Sequence, residues 1–105
     1  MSTYAIVRQA IIDQHQIVGV YDGHYRELCP HMIGTKNGRE QALFFQFGGE
    51  TSEGPILDPS SRQNWKCMQL SKFTEIQARP GPWHTADNHT KPSTCVDVID
   101  IQVQI

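Results

Sequence analysis

The sequence predicts a mainly β fold: a small, strongly bent antiparallel sheet or barrel with one N-terminal α-helix. Three observations lead there. Apolar residues recur at helical spacing before Gln16 and follow strand-like patterns after it. Two tight-turn dipeptides, Asp22-Gly23 and Asn37-Gly38, separate successive strand-like runs. Residues 99–105 alternate between apolar and polar.

Each element follows in order. Ser2 or Thr3 can cap a helix that runs from about Tyr4 to Gln14, with Ile6, Val7, Ala10 and Ile11 as its apolar stripe. "QIVGVY" (16–21) is β-branched and leads into Asp22-Gly23. "HYRELCPHMI" (24–33) returns as the second strand, and Pro30 demands an edge, bulge or bend because it lacks a ladder donor. "QALFFQF" (41–47) is the third strand. It carries Leu43, Phe45 and Phe47 on one face and Ala42, Phe44 and Gln46 on the other. Residues 48–64 read as a long loop of Gly, Ser, Pro and acidic residues. "WKCMQLSKFTEIQ" (65–77) is a fourth strand that turns near Ser71, with Cys67 facing away from Met68 and Leu70. In the tail, Ile99, Ile101, Val103 and Ile105 share a face opposite Asp100, Gln102 and Gln104. We expect a single domain over residues 1–105: helix 1–15, barrel core 16–77, loop 78–95 and C-terminal strand 96–105.

Composition narrows the function. A net charge of −2 provides no global basic field, so bulk non-specific nucleic-acid binding is not implied. Met1-Ser2-Thr3-Tyr4 lacks the basic start of a secretory signal, and the longest apolar run, residues 42–45, is far too short for a bilayer. No membrane association is expected. The three cysteines, Cys29, Cys67 and Cys95, are odd in number and widely spaced, which predicts reduced thiols in a cytoplasmic protein.

Three kinds of chemistry compete for the polar residues. His84, His89 and Cys95, with Cys29 and His31, offer metal-ligand types but none of the tight ligand pairs that zinc uses, so no metal and no cofactor is expected. Cys29 and His31 lie two apart on a strand, yet no other catalytic motif accompanies them, and no catalytic residue is assigned. The third reading is ligand recognition. Tyr21, Tyr25, Arg26 and His31 lie on or beside the first hairpin, and Trp65 and Lys66 begin a later strand. Aromatic faces beside cationic groups suit stacked bases and phosphates. Taken alone, these residues fit ordinary rim packing better than a ligand surface. The polar hairpin itself is better explained by a ligand surface than by a metal or a nucleophile.

Residues 5–77 resemble a WYL domain, a bacterial module with an Sm-like small β-barrel fold. The resemblance rests on "AI" (5–6), "VGVYDGHYRELCPHMIG" (18–34), "GREQALFFQF" (38–47) and "WKCMQLSKFTEI" (65–76). Tyr21, Arg26 and Pro30 match the family's tyrosine, arginine and proline. Ala42-Leu43-Phe44 stands where the family has its naming letters, and Lys66 and Lys72 stand where it has arginines, keeping the charge but losing the bidentate fork. The "RPGPW" loop (79–83) and the C-terminal strand resemble extensions of small stand-alone WYL-like proteins. Fifteen residues ahead of the barrel are too few for the family's usual winged-helix DNA-binding domain. The resemblance implies a non-enzymatic ligand sensor for a nucleotide or single-stranded nucleic acid, with Tyr21, Arg26, Lys66 and Lys72 forming the ligand face. The alternatives are a protein–protein adaptor, for which a homo-oligomer is one form, and a small enzyme.

Overall fold

The structure is a computed structural model that describes residues 2–59, 61–85 and 95–103. Helix α1 spans Thr3–Asp13, and the Ser2 hydroxyl accepts a hydrogen bond from the Ala5 N–H at 3.1 Å. Val7, Ala10 and Ile11 form its buried stripe, at the three- and four-residue spacing of one helix face.

Strands β1 (Gln16–Tyr21), β2 (His24–Lys36) and β3 (Arg39–Thr51) are joined by the two expected tight turns. Asp22 and Gly23 have φ of 52° and 81°, and Asn37 and Gly38 have 52° and 81°. Positive φ at both central positions is the type I′ geometry that matches strand twist. β2 and β3 form the longest pairing. Strand β4 (Gly54–Pro55) adds to the end of β3, and β5 (Trp65–Gln69) pairs with β3 from Gln41 to Phe45. After a 3₁₀ turn, Leu70–Lys72, strand β6 (Phe73–Arg79) pairs with β1 on the opposite side of the sheet. Only three residues separate β5 from β6, so the two flanks of the sheet must curl toward each other. This closure makes the sheet a half-barrel. The last strand, β7 (Val98–Gln102), pairs with Met32–Thr35 of β2.

Pro30 falls between the stretch of β2 paired with β1, which ends at Leu28, and the stretch paired with β7, which begins at Met32. The ladder with β3 also shifts register between Pro30 and Met32. The bulge expected from the missing donor is therefore present. The main core fills the inside of the curl: Ile17, Leu28, Ile33, Ala42, Phe44, Met68, Leu70 and Phe73 pack against the helix stripe. A smaller cluster of Met32, Leu43, Cys95 and Val96, with Trp65 against it, lies on the other face.

Three expectations need correction. Residues 48–64 are not one open loop: β3 continues to Thr51, β4 pairs back on it, and Arg62–Asn64 form a 3₁₀ turn. The hairpin is extended by Glu50 pairing with Pro55 and Thr51 with Gly54, and the Ile56 N–H donates to the Gly49 carbonyl at 3.1 Å. The cysteines are not all reduced, because Cys67 and Cys95 are joined by a disulfide with Cα atoms 5.6 Å apart. Wide sequence spacing concealed a pair that strand pairing brings together. In the tail, Ile101 and Val103 pack on the core, but Ile99 is 46% exposed. A register shift between Ile33 and Gly34 breaks the strict alternation there. Gln104 and Ile105 lie outside the described residues. Among the described residues no helix is long and apolar enough to cross a membrane.

Candidate ligand site

Arg26 stands at the centre of the candidate site. Its cross-strand neighbours are Gly19 on β1 and Gly49 on β3. The residue is only 6% exposed. Its Nε donates to the Tyr21 carbonyl oxygen at 3.3 Å, and Nη1 donates to Gln46 Oε1 at 3.3 Å. The guanidinium carbon lies 5.1 Å from the centroid of the Tyr21 ring, within cation–π range. No carboxylate lies within ion-pair distance among the described residues. Burial accordingly pulls the Arg26 pKa down from its ordinary value. A guanidinium carries five N–H donors. Two are spent on Tyr21 and Gln46, and among the described residues the other three have no acceptor.

Tyr21 is held from three sides. Its hydroxyl accepts from the Gln69 N–H at 3.1 Å, its ring meets Phe73 edge-on at 5.0 Å, and Arg26 covers it. Gln46 is fully buried and uses its whole amide: Oε1 accepts from Arg26, while Nε2 donates to the carbonyls of Gly48 and Glu50 at 3.0 Å each. Sequence reasoning placed Gln46 on the face of Ala42 and Phe44 but gave it no role. A polar residue at an otherwise apolar strand position was the available signal.

The other candidate residues divide. Lys66 is half-buried and pairs with Phe44, and strand alternation sets it on the inner face with Met68. Lys72 is exposed on the 3₁₀ turn, and its carbonyl accepts from the Asp22 N–H at 3.3 Å beside the first hairpin. Tyr25 is 48% exposed and, as Arg26's immediate neighbour on β2, belongs to the outer face.

His31 and Trp65 belong to a separate aromatic cluster. The His31 ring lies 4.7 Å from Trp65 and 5.0 Å from Trp83, and Phe45 meets Trp65 edge-on at 5.1 Å. Nδ1 of His31 lies 2.9 Å from the Cys29 carbonyl oxygen, which can only accept, so Nδ1 carries the proton. Nε2 lies 3.1 Å from Thr85 Oγ1. The Cys29 sulfur accepts from the His84 N–H at 3.3 Å, and burial pushes the thiol pKa up to about 11. His84 stacks on Phe47 at 4.1 Å. The imidazole of His31 thus bonds the backbone of residue 29 and not its sulfur. Among the described residues no group of three or more His, Cys, Asp or Glu is arranged to hold a metal, and His89 lies outside them.

No protein-family model matches the sequence, and no curated protein matches it. Among solved structures, the proteasome accessory factor B/C (PafBC) of Arthrobacter aurescens is similar, with a TM-score of 0.57 at 17% identity. The match covers 84% of this chain but 13% of that one. At this identity the likeness is one of fold.

Proposed function

We propose that this protein is a non-enzymatic ligand-binding module with a regulatory role, which takes an anionic ligand at Arg26: a nucleotide or a short single-stranded nucleic acid. The observation that carries this reading is the Arg26 guanidinium, which among the described residues has no carboxylate within ion-pair distance and no acceptor beyond Tyr21 and Gln46. A phosphate oxygen would supply the missing charge and accept a charge-assisted hydrogen bond. Lys66 on the same inner face and Lys72 beside the first hairpin add positive charge. The fold likeness to a proteasome accessory factor sits with a regulatory role.

The test is fluorescence anisotropy with short labelled DNA and RNA at low and moderate salt. Wild type binds at low salt and weakens as salt rises. Arg26→Lys keeps the charge but loses the fork, and Lys66→Ala leaves Arg26 in place; each lowers affinity by about tenfold, the scale of one charge-assisted hydrogen bond of roughly 1.5–3 kcal/mol. Circular dichroism confirms that both variants fold. Absence of binding at low salt, or wild-type affinity in both variants, sinks the proposal and turns attention to the protein–protein adaptor.

A further inference from the structure

We propose that Cys67 is a thiol-exchange site, and that opening of the Cys67–Cys95 disulfide by a dithiol reductant undocks strand β7 from the edge of β2. The two sulfurs differ in access: Cys67 lies on the exposed side of β5, while Cys95 is 4% exposed. Attack is therefore directed at the Cys67 sulfur. The incoming thiolate forms a mixed disulfide with Cys67, the S–S bond breaks, and its electron pair leaves on the Cys95 sulfur, which takes up a proton. The reductant's second thiol then attacks the mixed disulfide and releases Cys67. The protein gains two electrons and two protons, and the reductant leaves as a disulfide.

The third cysteine cannot interfere. Cys29 is fully buried, and its raised pKa keeps the thiol protonated at neutral pH. The exchange is thus confined to one pair, and the reductant must come from outside the chain.

The bond holds a segment that packs on the core at Ile101 and Val103 but is otherwise largely at the surface. Cys95 and Val96 cover Met32 and Leu43. Beyond them β7 is mostly exposed, with Val98 at 66% and Ile99 at 46%. Outside the ladder, the segment is held by the Cys95 carbonyl accepting from Gln41 Nε2 at 2.8 Å, by the Asp97 N–H donating to the Thr35 carbonyl and the Val103 N–H to the His31 carbonyl at 2.8 Å each, by the Asp97 carboxylate accepting from the Asn37 N–H at 3.4 Å, and by Asp100 bonded to Tyr4 and Arg8. The half-barrel formed by β1 to β3, β5 and β6 closes without β7. When β7 leaves, the Met32–Thr35 edge of β2 is uncovered, which is a surface suited to pairing with another strand.

The experiment combines thiol titration with amide hydrogen exchange on the intact chain. Oxidised protein shows one thiol after denaturation. Treatment of the native protein with millimolar dithiothreitol raises this to three. In the reduced protein, amides of residues 32–35 and 97–103 exchange at least tenfold faster, those of β1 and β6 are unchanged, and Tm falls by about 10 °C or more. Cys67→Ser reproduces this exchange pattern without reductant. The proposal is overturned if the bond opens only in denaturant, if exchange is the same in both redox states, or if reduction unfolds the whole chain, which would make the bond a structural staple.

Discussion

Arg26 lies across the ring of Tyr21 and donates to the same residue's carbonyl oxygen, so one tyrosine holds the guanidinium by both its side chain and its backbone. The two residues face each other because the Asp22-Gly23 turn folds β2 back on β1.

That arrangement separates two roles of Tyr21. Tyr21→Phe keeps the ring under Arg26 but loses the acceptor for the Gln69 N–H. We expect a stability loss of about 1 kcal/mol in urea unfolding, the usual net worth of one hydrogen bond, with oligonucleotide affinity within twofold of wild type. Tyr21→Leu removes the ring and lowers affinity severalfold, as measured by anisotropy.

Gln46 secures the other side of Arg26. Gln46→Leu fills similar space but leaves a guanidinium N–H and the carbonyls of Gly48 and Glu50 without their partner. Each buried group left unsatisfied costs about 1–3 kcal/mol, so a loss of about 3 kcal/mol or more is expected in chemical denaturation. A loss below about 1 kcal/mol would mean that water replaces the amide freely.

Gly34 tests β7 docking without touching a cysteine. A Cβ placed there would come within 1.9 Å of the Val98 carbonyl oxygen. Backbone cannot yield as a flexible side chain does, so Gly34→Ala displaces β7 locally. Hydrogen exchange should accelerate at residues 97–103, while β1 and β6 keep wild-type protection.

Alkaline pH should destabilise the fold by a stated route. Cys29 titrates near 9.0 when unfolded and near 11 in the fold, because burial penalises the thiolate. Tyr4 moves the same way, from 10.0 to about 12, through burial and its hydrogen bond to Asp100. Both groups keep their protons more tightly when folded. Their contribution is complete below the unfolded values and is lost as pH rises through the folded ones, between about 9 and 12. For Cys29 the loss is on the order of 2 kcal/mol. Urea unfolding at pH 8 and pH 10.5 measures it, and Cys29→Ala should flatten the drop. An equal drop in that variant would exclude the thiol as its source.

Local structure was legible in the residues alone: the helix and its stripe, the two I′ turns, the faces of residues 41–47 and the interruption at Pro30. All of these depend on backbone preferences and on side-chain periods of 3.6 or 2, which act over a few residues. The approach of Arg26 to Tyr21 belongs with them, since one tight turn brings the pair together.

Tertiary structure decided what long-range register controls. Gln46 meets Arg26 across twenty residues only because the β2–β3 ladder, with its register shifts, aligns them. Cys67 and Cys95 meet across 28 residues because β5 pairs with β3 and the tail returns to β2. His31 and Trp65, grouped with Arg26 by residue type, lie instead in the aromatic cluster with Trp83: alternation along β2 and β5 turns them away from Arg26 and Lys66, and the pairing of both strands with β3 brings their rings together. A bulge of one residue reverses every face beyond it, and no local preference reveals which strand will lie alongside.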